Sequence, residues 1–398
     1  MAGKTSGSAV ALYRNGAAQP RMVIKRHHRI WPVVVAVALA LAMAACQSTP
    51  APTPTLAATK ATRPPEPTFT PVQTITAAPT ATVTPLPTLT PTPTANPNLN
   101  PLTGLTVADP ALLHRHVLAV RVGNDAIIRP QEGLGEADIV YEELMEGYSL
   151  TRFTGIYLGT NAERIRPIRS ARLVSLAIAP QYNAVLVHSG ASDKIRWYIS
   201  QAKNFTDLDQ YYHDEPYGIL PGYDWRGRMY TSVERVHDYL LGRGMETDKV
   251  VQGYLFDPSV PTGEAATTVT VPYPQVCKVR WDYDSAARLY LRNVAGEPHE
   301  DGLTGKQLSA ANVIILYAEH LKTDIVEDSL GSTAIDIVLT GKGRAQLFRD
   351  GIAVNCTWQR PDGGGLIEYY DDAGTKVPLK PGQTWIELVP PDYEITYN

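Results

Sequence analysis

The chain has 398 residues, with 36 Lys or Arg against 40 Asp or Glu and a formal net charge of −4. That balance argues against nucleic acid as a bulk partner, which calls for clustered positive charge. Three cysteines are too few for a disulfide-built scaffold, and the length is ample for two domains with cores of their own.

The first 45 residues hold no Asp or Glu, and Lys25, Arg26 and Arg29 stand before the uncharged run "WPVVVAVALALAMAA". That run is short for a membrane span and suits the core of a signal peptide. Ala44 and Ala45 precede Cys46. The arrangement resembles the lipobox of bacterial lipoproteins, which implies acylation (a palmitate-type anchor) at Cys46, with Met43 where Leu is most usual. An ordinary secreted protein cut nearby, or a single retained anchor helix, is the competing reading.

Residues 46–97 read as a stalk. From 47 to 97, 29 of 51 residues are Thr or Pro, and "TPTPTANP" closes the segment. Such a composition buries no core, and repeated Pro favours extended, disordered chain. The remaining body, 98–398, carries 28 basic and 39 acidic residues, a net −11. Cys277 and Cys356 are its two cysteines. A bridge between them would close a loop of about 80 residues and stabilise by about 4 kcal/mol on the chain-entropy model. Two buried free thiols are the alternative.

From 98 to 248 the pattern alternates. "VLAVRV" (117–122), "ADIVYEEL" (137–144), "TRFTGIYL" (151–158) and "NAVLVHS" (183–189) read as strands. "SARLVSLAIAP" (170–180), "SDKIRWYISQAKN" (192–204) and "SVERVHDYLLGRG" (232–244) read as helices, the last capped by Ser232. This is an α/β domain. From 249 to 398 the texture changes to strand-like runs such as "CKVRWDYD", "RLYLRNV", "NVIILYAEH", "GRAQLFRDG" and "TWIELVP", separated by turns. A mostly-β domain, sandwich or barrel, is expected there. Trp281, Trp358 and Trp385 are either its core or a sugar-stacking face.

"RIRPIRSARLVS" (164–175) packs Arg164, Arg166, Arg169 and Arg172 into nine residues. With a helix starting at Ser170, its free N–H groups and dipole point at the arginines, so an anion is expected between them. Guanidinium forks hold carboxylate or phosphate in bidentate fashion. The anion is either internal, from Glu142, Glu143, Glu146 or Glu163, or an external ligand.

"VLVHSGASD" (185–193) places His188 at a strand end before a small-residue turn, the position where ligands collect in open α/β sheets. His188 could bind a ligand or act as acid and base, and Ser189 could offer an N–H. A histidine merely satisfied by hydrogen bonds is the plainer reading. Glu142 and Glu143 are adjacent in a strand and point to opposite faces, so they do not form an acid–base pair with each other. Nothing near His114 and His116 completes a metal-ligand set, and no cofactor-binding motif is present.

Together "NPLTGL", "RPQEGLGEADIVYEELMEG", "TRFTGIY", "IRPIRSAR", "VHSGAS", "YTS", "DGLTG", "DIVLTGKGRAQLFRDG" and "GQTWIELVP" resemble the YerB-like lipoprotein family. The resemblance covers nearly all of 98–398 and implies paired N- and C-terminal domains behind a lipoprotein signal. It brings no activity. Two departures stand out: Gly227 and Arg228 occupy the place of a usual His-Asn pair, and Arg166 stands where Gly is usual.

The sequence therefore leads to a lipid-anchored, extracytoplasmic protein that binds an anionic cell-envelope glycan or peptide. Arg166, Arg169, Ser170 and Arg172 would supply charge and donors, with His188, Ser189 and Glu142 orienting the ligand. A cell-wall hydrolase or transferase using His188, and an interaction scaffold with its arginines locked internally, are the alternatives.

Overall fold

The computed structural model describes residues 96–360 and 364–398. The signal segment, Cys46 and nearly all of the stalk lie outside the described residues. Among the described residues no helix is long and apolar enough to cross a membrane.

The first half supplies β1 (Leu118–Gly123), β2 (Ile139–Leu144) and β3 (Thr151–Tyr157), each buried along its whole length. β4 (Val185–His188) and β5 (Thr206–Asp209) follow, with α1 (Ser175–Ile178), α2 (Asp193–Gln201) and α3 (Val233–Gly242). Ser232 caps α3 by accepting from the Arg235 N–H at 3.1 Å. The second half supplies β6 (Thr268–Val271), β7 (Val279–Asp284), β8 (Leu289–Val294), β9 (Asn312–Tyr317), β10 (His320–Val326) and β11 (Thr333–Ile337). β12 (Gly341–Arg349), β13 (Ile352–Arg360), β14 (Glu368–Tyr370) and β15 (Thr384–Val389) complete it.

An α/β first half followed by a mostly-β second half is what the sequence led us to expect, and both are present. The two halves share one sheet, however. Its order is β14-β13-β12-β9-β15-β2-β3-β1-β4-β5, with a two-residue strand beside β13 making eleven. β15 is the seam, parallel both to β9 and to β2. A smaller antiparallel sheet built on β8-β7-β6 packs against this seam. Trp281 of β7 lies edge-on to Trp385 of β15, with ring centroids 5.3 Å apart, and Trp385 meets Phe153 of β3 at 5.6 Å. Trp281, Trp358 and Trp385 are all buried, so they are core and not a sugar-stacking face.

Two expectations need correction. The helix over 170–180 shrinks to Ser175–Ile178, continued by a 3-10 turn at Ala179–Tyr182, and Ser170 caps nothing. Before it the chain is extended, because its backbone bonds sideways. Arg166 bridges to Glu132, Ile168 to Val122 and Ile165 to Thr231. Pro167 has no N–H to give a helix. The possible disulfide is not formed either: Cys277 and Cys356 are separate buried thiols. The Cys277 thiol lies 3.9 Å from the carbonyl of Asn124, just past β1, whereas Cys356 sits on β13. Five strands stand between β1 and β13 at about 4.8 Å spacing, beyond any disulfide's reach.

Candidate functional site at the carboxyl edge of the parallel strands

β1, β4 and β5 run parallel, so their carboxyl ends at Gly123, His188 and Asp209 form one edge. Such edges are where open α/β sheets take ligands. The arginine stretch is laid across this edge. Gly123 donates its N–H to the Pro167 carbonyl at 3.0 Å, and Arg169 donates to that of Arg121 at 2.9 Å. Ser189 donates to the Arg169 carbonyl at 3.1 Å, and Ala171 to that of Gly190 at 2.8 Å. A Cβ on Gly123 would fall 2.7 Å from Arg169 Cγ, so the Arg169 side chain needs bare backbone beneath it.

The four arginines have different fates. Arg164 and Arg166 share Glu132, the Arg166–Glu132 contact being 2.9 Å. Arg166 is buried and also donates to the carbonyls of Gly227 (2.9 Å) and Pro130 (3.0 Å). Arg172 grips Glu146 with two bonds of 2.6 and 2.8 Å, and Glu327 lies 3.4 Å from its Nε. Among the described residues Arg169 has Asp125 as its one ion-pair partner, at 3.8 Å, and its Nε has no hydrogen-bond partner.

Two further arginines lie underneath. Arg121 of β1 meets Glu143 of β2 at 2.5 Å. Arg152 of β3 is 4% exposed, donates from Nη1 to the Ser170 carbonyl at 2.9 Å, and leaves Nε unbonded. Among the described residues it makes no ion pair. Burial, then the nearby Arg172, Arg169 and Arg121, push the Arg152 guanidinium well below its ordinary pKa. Burial also pushes the Glu143 carboxyl up to about 7, against the pull of Arg121. Four guanidiniums thus converge with the carboxylates of Glu143, Glu146, Glu327 and Asp125, and Arg152 is the guanidinium that none of those carboxylates reaches within ion-pair distance.

His188 and Glu142 do not face this edge. The His188 ring is fully buried, its Nδ1 2.9 Å from the Gly190 carbonyl and its Nε2 2.7 Å from Asp207. A carboxylate stands beside it but no opening does, so the hydrolase or transferase reading finds no accessible acid–base group there. Glu142 points to the opposite face, as the strand alternation requires, and accepts from Thr151 Oγ1 at 2.6 Å and from Arg292 of β8. Ser170 and Ser189 are half-buried, next to the arginines. His114 and His116 meet carboxylates separately, His114 with Asp248 and His116 with Glu246. Among the described residues no three metal-ligating side chains gather.

Sequence reasoning missed Arg121, Arg152 and Asp125. A signal existed: Arg121 interrupts the apolar run "VLAVRV", and a charge at a position with an apolar face on each side is a buried one needing a partner.

With the geometry described, its relatives can be placed. A family model described as "Protein of unknown function (DUF3048) N-terminal domain" matches residues 102–246, and the corresponding C-terminal domain model matches residues 269–386. The protein "Putative lipoprotein YerB" of Bacillus subtilis (strain 168) is 30% identical over 306 residues, covering 73% of this chain and 86% of that protein. The chain belongs to the YerB-like DUF3048 family. The crystal structure of the YerB protein from Bacillus subtilis matches with a TM-score of 0.64 at 29% identity, over 74% of this chain and 98% of that one. Two departures from the YerB-like pattern, Arg166 and Gly227, touch in this member. Arg166 donates to the Gly227 carbonyl, and a Cβ on Gly227 would already lie 3.1 Å from Ile128 and 3.6 Å from Arg166 Nη1. A larger residue at 227 would press first on Ile128.

Proposed function

We propose that this protein is a lipid-anchored extracytoplasmic lipoprotein whose body binds an anionic cell-envelope ligand at the carboxyl edge of β1 and β4. Anchoring through Cys46 is supported by the signal-like N-terminus and by the lipoprotein name of its Bacillus subtilis relative. The binding groups are Arg169 and Arg152, with Arg172 and Ser170 beside them. A carboxylate- or phosphate-bearing glycan or peptide fits this chemistry.

One observation carries the reading. Among the described residues Arg152 is buried beside three other guanidiniums with no carboxylate within ion-pair distance, Glu143, Glu146 and Glu327 acting on it from farther away. Burying an unpaired charge costs several kcal/mol, and an external anion offsets that cost. The cavity of about 630 Å³ between the start of α2 and the β10–β11 hairpin is lined by Lys194 and by Asp193, Asp324, Glu327 and Asp328, so an anion is directed to the Arg169 side of the cluster and not into that cavity. Thermal unfolding of the full chain with acetate, phosphate and cell-wall fragments tests the reading. A ligand at about 100 times its dissociation constant adds about 2.7 kcal/mol of stability. We expect that gain to vanish in Arg169→Ala while the variant itself remains folded. No shift with any anion would refute the proposal.

A further inference from the structure

We infer that the ligand held at the arginine stretch is a carbohydrate chain carrying carboxylates, its sugar rings stacked on the exposed faces of Trp225 and Tyr211. The inference rests on the anion-binding reading above and names its ligand class.

The same edge carries two outward-facing aromatic rings, each set against a guanidinium. Trp225 is 68% exposed and lies 5.9 Å from the Arg169 guanidinium. Tyr211 is 71% exposed and lies 5.1 Å from that of Arg196. The two guanidiniums flank the turn after β4. The Arg169 carbonyl accepts from Ser189, and Arg196 Nη2 lies 2.8 Å from where a Cβ on Gly190 would be. Arg196 is steadied by Asp209 at 2.8 Å. The result is a row of aromatic face, cation, backbone turn, cation and aromatic face.

Single exposed apolar residues are common on any surface, and it is the pairing of each ring with a cation along one edge that sets these two apart. The guanidiniums lie over the rings, Arg169 and Arg226 both 5.9 Å from Trp225, and the ring surface that stays exposed can stack on the C–H face of a sugar while a guanidinium takes a carboxylate in a fork. A peptide strand would instead take the free edge of β5, two strands from the β1 end where Arg169 lies. An anionic bilayer calls for a cluster of roughly four to eight Lys or Arg, which this row of two cations does not offer. The cations of the row also have acidic neighbours, Arg169 with Asp125 and Arg196 with Asp209. That suits a ligand with spaced carboxylates better than a dense polyanion.

The test is direct binding of the full chain, by titration calorimetry, to three probes. These are bacterial cell-wall glycan strands stripped of peptide (a carboxylate on alternate sugars), poly-L-glutamate, and phosphatidylglycerol vesicles, with thermal shifts by acetate and phosphate measured alongside. We expect the glycan strands to bind, and Trp225→Ala and Tyr211→Ala each to weaken that binding about tenfold. Both side chains are exposed, so their variants should keep the native melting temperature and the small-anion shift. Glycan binding unchanged in both variants, or weaker than binding to poly-L-glutamate or vesicles, overturns the inference. If acetate and phosphate still stabilise the chain while glycan strands do not bind, the glycan assignment fails and the anion site stands. If nothing binds, both fail together.

Discussion

Glu142 and Glu143 are neighbours on β2, yet they belong to two different chemistries. Glu142 faces the smaller sheet, where it meets Arg292, and Arg292 is covered by Phe153, Trp281 and Trp385. The arrangement is closed on that side: His299 meets Arg292 and Gln131, and Trp281 donates to Glu387 at 3.0 Å. Burial and the adjacent Glu142 push the Glu387 carboxyl well above its ordinary range. Glu143 faces the arginine stretch, where Arg121 is its partner but Arg152 and Arg169 keep unbonded nitrogens. Both faces keep a guanidinium Nε without a partner among the described residues, Arg292 on one and Arg152 and Arg169 on the other. Arg292, however, has a bonded carboxylate and is enclosed by aromatic rings, whereas Arg152 has no carboxylate within ion-pair distance and lies at an edge where a ligand can reach. Buried charge by itself is therefore no mark of function. Incomplete pairing beside an opening is the more telling feature.

The sharpest way to break this contrast is to remove one partner on the sealed face. Glu142→Ala removes the carboxylate bonded to Arg292 and leaves only Glu387 near that buried charge, and we expect a loss of about 3 kcal/mol in urea unfolding. A loss under about 1 kcal/mol would mean that this cluster is not the closed one. On the edge, Arg172→Ala strands Glu146 and should cost about 2 kcal/mol in the same assay.

A pH series separates the faces further. The folded Glu143 carboxyl stands at about 7, above its ordinary 4.5. Between those values the folded chain holds a proton that the unfolded chain has released. Its contribution is full below 4.5 and is lost as pH rises toward 7, by at most about 1.4 kcal/mol per unit. Glu143→Gln should flatten that part of the profile of urea midpoint against pH. An equally steep profile in the variant would place the proton elsewhere.

Arg152→Met should raise ligand-free stability by about 1 kcal/mol, since it removes a buried charge with no carboxylate in ion-pair contact and keeps the volume. A clear loss of stability would show Arg152 to be structural. The smallest effect belongs to Trp225→Ala, which should leave the urea midpoint within about 0.5 kcal/mol because the ring is exposed.

Much of this was legible in the chain. Alternation placed Glu142 and Glu143 on opposite faces, and β-branched runs located β1 to β4 within two residues. The small-residue turn after His188 marked the edge itself. The arginine stretch misled because "SARLVSLAIAP" has helix-like composition while its first residues are held by backbone bonds to Arg121 and Gly190. Local propensity is a weak prior, and tertiary hydrogen bonds override it. Glu132, far from the arginines in spacing terms, takes Arg164 and Arg166, whereas Glu163 next to them does not appear among their ion pairs.

What the sequence determined by itself was local: the signal-like start, the Thr/Pro stalk, the order of strands and helices, and which face of a strand each side chain takes. Those follow from composition and from the periods of 2.0 and 3.6 residues. Only the tertiary structure decided that β15 inserts beside β2, pairing Ile139 with Thr384. It alone decided that Arg292 answers Glu142 and that Arg152 is left without a carboxylate in ion-pair contact. Those outcomes depend on which distant strands become neighbours, because a buried charge takes its partner from whatever the fold brings within reach.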